Sequence, residues 1–144
     1  MSICQTCEMV DTLASPFVIY QDDLLILSHC VDMNVPGYLI LSPVRHLVRY
    51  DDLTDNEAVS LALLLKRAVH AVSQLVGVEK VYLLNLGELT EHVHFHIFPR
   101  YGGMCDDLNA KNEKGVIDGA LLFSQARKAY KVIDVLWING LSNN

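Results

Sequence analysis

Short apolar runs come first along the chain, and a long periodic stretch follows them. Phe17-Val-Ile-Tyr20 and Leu24-Leu-Ile-Leu27 are β-prone and separated by Gln21-Asp-Asp23, which predicts a hairpin of two strands. Pro36-Gly37 marks a turn before Tyr38-Leu-Ile-Leu41, a third run of strand length, so three strands are expected ahead of any helix. Thr54 with Glu57 three residues on has the form of a capping box. Ala58, Leu61, Ala62, Leu65, Ala68, Val69, Val72 and Val76 then recur at helical spacing up to Gly77, predicting a helix over about 54 to 76 with one face on a sheet. Lys80 to Leu86 reads as a strand. His92 to Phe98 alternates strictly between polar and apolar residues, which predicts another strand, ended by Pro99.

Gly102, Gly103, Asp106, Asp107, Asn109, Asn112 and Gly115 predict an exposed loop from about 101 to 116. A second helix is expected from Ile117 to Ile133, with Ala120, Phe123, Ala126, Ala129 and Tyr130 as inward positions, and Asn139 to Asn144 as a polar tail. Strands then a helix, followed by two strands and a helix, imply an α+β domain. Its sheet would have about five antiparallel strands, with the long helix and the C-terminal helix packed on one face. The 144 residues show no repeat or linker and fit one domain, 1–144.

A content of 51% hydrophobic and 19% charged residues suits a packed core and argues against disorder. The formal charge of -6, with no run of basic residues, disfavours nucleic acid as a partner; an anionic small molecule would need a local positive pocket. Met1 to Tyr20 has no cationic lead and no continuous apolar block, and the longest apolar stretch, around Leu61 to Leu65, is too short to span a bilayer. A cytoplasmic protein without a membrane partner is expected. Disulfides are not expected among Cys4, Cys7, Cys30 and Cys105. Cys4-Gln-Thr-Cys7 reads as a metal or redox pair, or as plain thiols near a frayed end; Ser2-Ile3 is too short to be the strand that precedes a redox Cys-x-x-Cys. Cys30 and Cys105 read as small buried or loop thiols, and His70 as an ordinary helix histidine.

His92-Val93-His94-Phe95-His96-Ile97-Phe98 places three imidazoles on one strand face and the apolar residues on the other, buried face. Successive histidines would then lie about 6.7 Å apart along the strand. Three core-filling histidines would leave several buried nitrogens seeking partners, at roughly 1 to 3 kcal/mol for each unsatisfied group; surface histidines without a task are the bland alternative. Two functional readings stay open. The strand can supply ligands to a catalytic metal carrying an activated water, or one neutral imidazole can be the nucleophile, its other nitrogen fixed by a hydrogen bond.

The flanking residues narrow this. His92-Val-His-Phe-His-Ile-Phe-Pro-Arg100 resembles the signature of the histidine-triad family of nucleotide hydrolases and transferases. Val35-Pro-Gly-Tyr-Leu-Ile-Leu-Ser-Pro-Val-Arg-His46, followed by Asp51-Asp-Leu53, is similar to the family's Pro-Gly strand, its Pro-x-x-His element and its acidic lead into the main helix. Asn85-Leu86-Gly87 is similar to its Asn-x-Gly pair, so the resemblance covers about residues 4 to 101. It implies a nucleotide hydrolase of phosphoramidase type acting on a phosphoramidate, a dinucleoside polyphosphate or a nucleotidyl adduct. In that mechanism His94 attacks the α-phosphorus and water resolves the nucleotidyl-imidazole. His96 would donate to a phosphate oxygen or help the leaving group, and Asn85 would hold another oxygen.

Nucleotidyl transfer is the alternative, although the uridylyltransferase relatives that perform it resemble two such domains joined. A zinc-dependent metallohydrolase using His92, His94 and His96 as ligands is another, and a non-enzymatic nucleotide-binding module is the last. The resemblance further implies a homodimer. Some members also complete a Cys-x-x-Cys with the upstream histidine and the first triad histidine, here Cys4, Cys7, His46 and His92 around a structural zinc.

Two places depart from the pattern. Seven positions before the glycine of Pro-Gly, where an acidic or amide residue usually binds the ribose hydroxyls, stands Cys30, a poor partner for a diol. His29 and Asp32 are its neighbouring substitutes, so Cys30 and His29 are carried as substrate contacts. The stretch between Gly87 and His92 lacks the usual Gly-Gln pair and holds Glu88 and Glu91, which would repel a phosphate unless they face solvent or Arg45, Arg49 or Arg100.

Overall fold

The computed structural model describes residues 4–11 and 16–131. In chain order these form α1 (Gln5–Asp11), β1 (Val18–Gln21), β2 (Leu25–His29), β3 (Leu39–Pro43), α2 (Asp55–Ser73), β4 (Val78–Leu84), β5 (Phe95–Tyr101), α3 (Met104–Asp107) and α4 (Gly119–Ala129). The strands make one antiparallel sheet in the order β1-β2-β3-β5-β4. The α+β architecture and the five strands expected from the apolar runs are therefore present. No helix among the described residues is long and apolar enough to cross a membrane.

Side chains alternate across a strand, so each strand feeds both faces of the sheet. Leu25, Leu27, Leu39, Leu41 and Ile97 point to one face and pack with Leu61, Ala68 and Val72 of α2. Tyr38 and Phe98 point to the other, where Leu122, Phe123 and Ala126 of α4 cover them together with Met104 and Ala110. The expectation of helices on a single face is thus corrected: α2 and α4 flank opposite faces. The 101 to 116 loop is corrected in the same way, since α3 lies inside it and buries Met104 and Cys105. On α4, Ala120 and Ala129 are exposed and Leu122 takes an inward place beside Phe123 and Ala126. The remainder of the predicted second helix and the predicted tail, from residue 132 on, lie outside the described residues.

The long helix begins as its sequence requires. Thr54 accepts the Glu57 N–H and Glu57 accepts the Thr54 N–H, a complete capping box. Glu57 also takes a 2.7 Å hydrogen bond from Arg45 Nη2, which ties the loop after β3 to the start of α2. The helix ends at Ser73 rather than near 76, because the chain turns through Gly77 at φ +87 and leaves Val76 97% exposed. Leu75 folds back over the turn at Gly37, whose φ of +80 favours glycine and where an added Cβ would also displace the Leu75 side chain.

Pro99 does not end its strand. It pairs with Val81 inside β5, where the ladder to β3 has already stopped at Ile97, so it has a strand neighbour on one side alone. Ahead of the sheet, α1 precedes the first strand. It buries none of its residues, and seven residues of helix do not hold themselves in water.

Glu57 is 3% exposed, and the Arg45 guanidinium, with the Thr54 hydrogen bonds, holds its carboxyl below its ordinary value of 4.5. A carboxyl lowered in the folded state stabilises above its unfolded pKa and loses that contribution as pH falls through the folded value. Glu57→Gln should therefore lower stability at neutral pH by roughly 1 kcal/mol, and the gap to the parent should narrow as the pH is taken below 4.5. Denaturant melts across that range decide it, and equal stability at neutral pH would refute the anchoring role.

Candidate active site

The three triad histidines do not share one strand face. β5 starts only at Phe95, because Leu41 opposite it is followed two residues on by Pro43, which has no N–H to extend the ladder. Released from the sheet, residues 92–94 are held by the Val93 N–H donating to the Leu47 carbonyl at 2.7 Å. His92 turns inward and is fully buried, while His94 and His96 stay together on the α4 face, ring centroids 4.8 Å apart.

A run of hydrogen bonds joins them, and its direction follows from the groups at its end. A carbonyl only accepts, so His94 donates from Nδ1 to the His92 carbonyl at 2.8 Å. With the ring neutral, its Nε2 carries the lone pair. That atom lies 3.1 Å from His96 Nε2, which must donate to it, and so His96 Nδ1 must accept, from the Tyr38 hydroxyl. Burial, then His94, then Arg127 push His96 down to about 4 from its ordinary 6.5, so it is neutral at physiological pH. In its neutral form His94 therefore has one nitrogen anchored and the other free to act as a nucleophile.

Both rings face a cavity of about 930 Å³. His29, Cys30, Asp32 and Tyr38 belong to its lining, as do Gln5, Glu8 and Met9 of α1 and Ser124, Arg127, Lys128 and Lys131 on the α4 side. Burial pushes the Cys30 thiol up to about 11, so it is a neutral group there. Asn85 is not in the wall; it is exposed, one residue past Leu84, which pairs with His96. Glu88 and Glu91 are also exposed and outside it. Arg45 and Arg49 are engaged by Glu57 and Asp51, and Arg100 by the Tyr82 hydroxyl, so the arginines considered as partners for those glutamates serve elsewhere.

Behind His94 lies a second cluster. One ligand atom from each of Cys4, Cys7, His46 and His92 lies within 4.8 Å of every other. His92 donates from Nε2 to the Pro43 carbonyl at 2.8 Å, which leaves its Nδ1 lone pair facing Cys4 Sγ at 3.4 Å and Cys7 Sγ at 3.6 Å. His46 Nδ1 is 3.3 Å from Cys7 Sγ. A tetrahedral zinc, with bonds of about 2.3 Å to sulfur and 2.0 Å to nitrogen, sets ligand atoms about 3.3 to 3.8 Å apart, so the residues fit that ion. Without a cation Cys7 resists ionisation: burial and the adjoining Cys4 push its thiol up to about 11.

Tyr38 is the site residue that sequence reading missed. The sequence places it in the strand after Pro36-Gly37, and its one sign is a hydroxyl-bearing aromatic at the head of an otherwise aliphatic run. The N-terminal helix and the cationic stretch at 127–131 were missed too, the first for lack of an apolar stripe and the second because its charges suit any solvated helix end.

The family model for the HIT domain matches residues 13–103. An uncharacterized HIT-like protein of Methanocaldococcus jannaschii is 26% identical over 106 residues, 70% of this chain and 81% of that one. The AP-4-A phosphorylase of Mycobacterium tuberculosis is 34% identical over 74 residues, 47% of this chain but 38% of its own length. A bis(5'-adenosyl)-triphosphatase of Dictyostelium discoideum is 28% identical over 103 residues, 64% of this chain and 69% of that one. Among solved structures, a member of the HIT family from Bacillus subtilis superposes with a TM-score of 0.63 at 20% identity, over 71% of this chain and 76% of that one.

The proton positions are open to measurement. Imidazole ¹⁵N spectra at neutral pH should show His94 protonated at Nδ1 and His96 at Nε2, and Tyr38→Phe should release His96 into a mixture of tautomers while lowering stability by about 1 to 3 kcal/mol. A His94 protonated at Nε2 in the parent would break the assignment.

Proposed function

The chain belongs to the HIT family, and from that premise we propose that it is a nucleotide hydrolase working through a covalent nucleotidyl-His94. The single observation that carries this reading is the Nδ1 anchor of His94, which leaves Nε2 as a lone pair facing the cavity. Relatives named as a phosphorylase and a triphosphatase of adenosine polyphosphates support phosphoryl chemistry on nucleotides in general. Phosphoramidates, dinucleoside polyphosphates and nucleotidyl adducts are the substrate types considered.

In the proposed step Nε2 of His94 forms a bond to the α-phosphorus. The bond from that phosphorus to the leaving group breaks, and its electron pair departs with the leaving atom. Positive charge gathers on the imidazole, where the Nδ1–H bond to the His92 carbonyl steadies it. At rest His96 Nε2–H occupies the attacking lone pair, so substrate must draw that donor away to a phosphate oxygen or the leaving group. Water then attacks phosphorus, the N–P bond breaks and its electron pair returns to His94. His29 and Cys30 contact the nucleoside in this reading, without a carboxylate to grip a diol. Asn85 stands outside the cavity wall and is given no role in this reading.

Cys4, Cys7, His46 and His92 would hold a structural zinc. When bound it supplies cross-linking rather than Lewis acidity, fixing α1 and the His92 ring beside the nucleophile. Zinc-dependent chemistry through the triad is disfavoured, because His92 faces the thiols while His94 and His96 face the cavity. Four free cysteines suit a reducing, cytoplasmic setting, and the exposed Val59 and Leu63 of α2 give a homodimer apolar surface to bury.

His94→Asn should cut turnover of adenosine 5'-phosphoramidate and of diadenosine polyphosphates by a factor on the order of 10³ or more. Alkaline quench of single turnovers should trap label on the parent protein in an acid-labile bond; full activity in the variant would end the proposal. Metal analysis should find about one zinc per chain, and Cys4→Ser should lower both zinc content and melting temperature. Zinc retained after that change would exclude this ligand set.

A further inference from the structure

We propose that Arg127, Lys128 and Lys131 form a subsite for phosphates beyond the one that His94 attacks, selecting substrates whose leaving group is a polyphosphate chain. The inference rests on the nucleotide reading above and narrows it.

Ser124, Arg127, Lys128 and Lys131 are spaced to fall on one side of α4 and its exit, and all four line the same cavity as His94 and His96. The exit is fixed in place: the Asn34 N–H donates to the Tyr130 carbonyl at 2.9 Å, and Lys131 forms a β-bridge with Met33, joining it to the loop that carries Cys30. Cations in a last helical turn complement the helix dipole, which accounts for Arg127 and Lys128 being near the end of α4. It does not account for their lining the cavity, nor for Lys131, which lies beyond the helix. Among the described residues no ion pair engages any of the three, and Arg127 rests over the Phe123 ring at 6.0 Å. In a chain of formal charge -6 this is a local reversal of sign at one wall. The carboxylates of the lining, Glu8 and Asp32, come from other elements, α1 and the loop after β2.

The chemistry distinguishes the substrates. When a phosphoramidate reacts, the departing amine carries no negative charge, and three cations have nothing to stabilise. When a polyphosphate reacts, His94 Nε2 bonds to the α-phosphorus, the bond to the bridging oxygen breaks, and the electron pair leaves on that oxygen. Charge thereby grows on a phosphate chain lying where Arg and Lys can meet it. A cavity of about 930 Å³ has room for such a chain beside the nucleoside.

The triple variant R127Q/K128Q/K131Q tests this. All three positions are exposed, and a thermal melt checks that the variant keeps its fold. kcat/KM should fall at least about tenfold more for diadenosine tetraphosphate and adenosine 5'-triphosphate than for adenosine 5'-phosphoramidate. Equal losses on all three, or none, would overturn the subsite. Calorimetric binding of inorganic tripolyphosphate separates the two ideas. If the parent binds it and the variant does not, while neither substrate class is turned over, the subsite stands and the hydrolase reading fails; if both bind it alike, the subsite fails whatever the activity.

Discussion

Two backbone carbonyls, those of His92 and Pro43, fix the chemistry of this molecule because they can only accept hydrogen bonds. The first takes the Nδ1 proton of His94 and so sends the lone pair of that ring toward the cavity. The second takes the Nε2 proton of His92 and sends its lone pair the opposite way, toward the thiols. Neighbouring imidazoles of the same type are thereby assigned to different tasks by acceptors with no alternative role. The origin lies on the neighbouring strand: a proline at the end of β3 halts the ladder, and the freed segment turns one histidine away from the others.

The sheet divides its labour by parity. Residues facing α2 are aliphatic and form a dry core with Leu61, Ala68 and Val72, whereas residues facing α4 include Tyr38, His96 and the serines Ser28 and Ser42 that reach the cavity. Phe123 packs between them, in edge contact with His96 and Phe98, so the active face is buttressed by aromatic rings rather than by branched aliphatics. Both faces carry a buried cluster, and the α4 side is the one that opens onto the cavity.

Much of this was legible in the chain. Period-two runs and the Thr54–Glu57 pair announced the strands and the long helix, since both depend on neighbours within a few residues. The four thiol and imidazole positions were also readable, through a resemblance that joined residues 88 apart in sequence, and the structure brings those atoms together. What escaped was settled by distant contact. The turning of His92 depends on Pro43, and the division of helices between faces depends on how the chain crosses the sheet. Tyr38 gains its role only because His96 arrives beside it from a strand 58 residues later. Asn85 illustrates the converse: a motif position can be adjacent to the site in sequence register and still stand outside the wall.

The α1 helix carries one further implication. It supplies a wall of the cavity while contributing nothing to either hydrophobic core, and its ties run through Cys4 and Cys7 to the imidazoles and through Gln21 to the Val10 carbonyl. Substitutions at Gln5, Thr6 or Met9 therefore alter what the cavity admits without passing through the packing of the sheet. The segment is thus held at its two cysteines and open to change between and beyond them, at the residues that face the cavity.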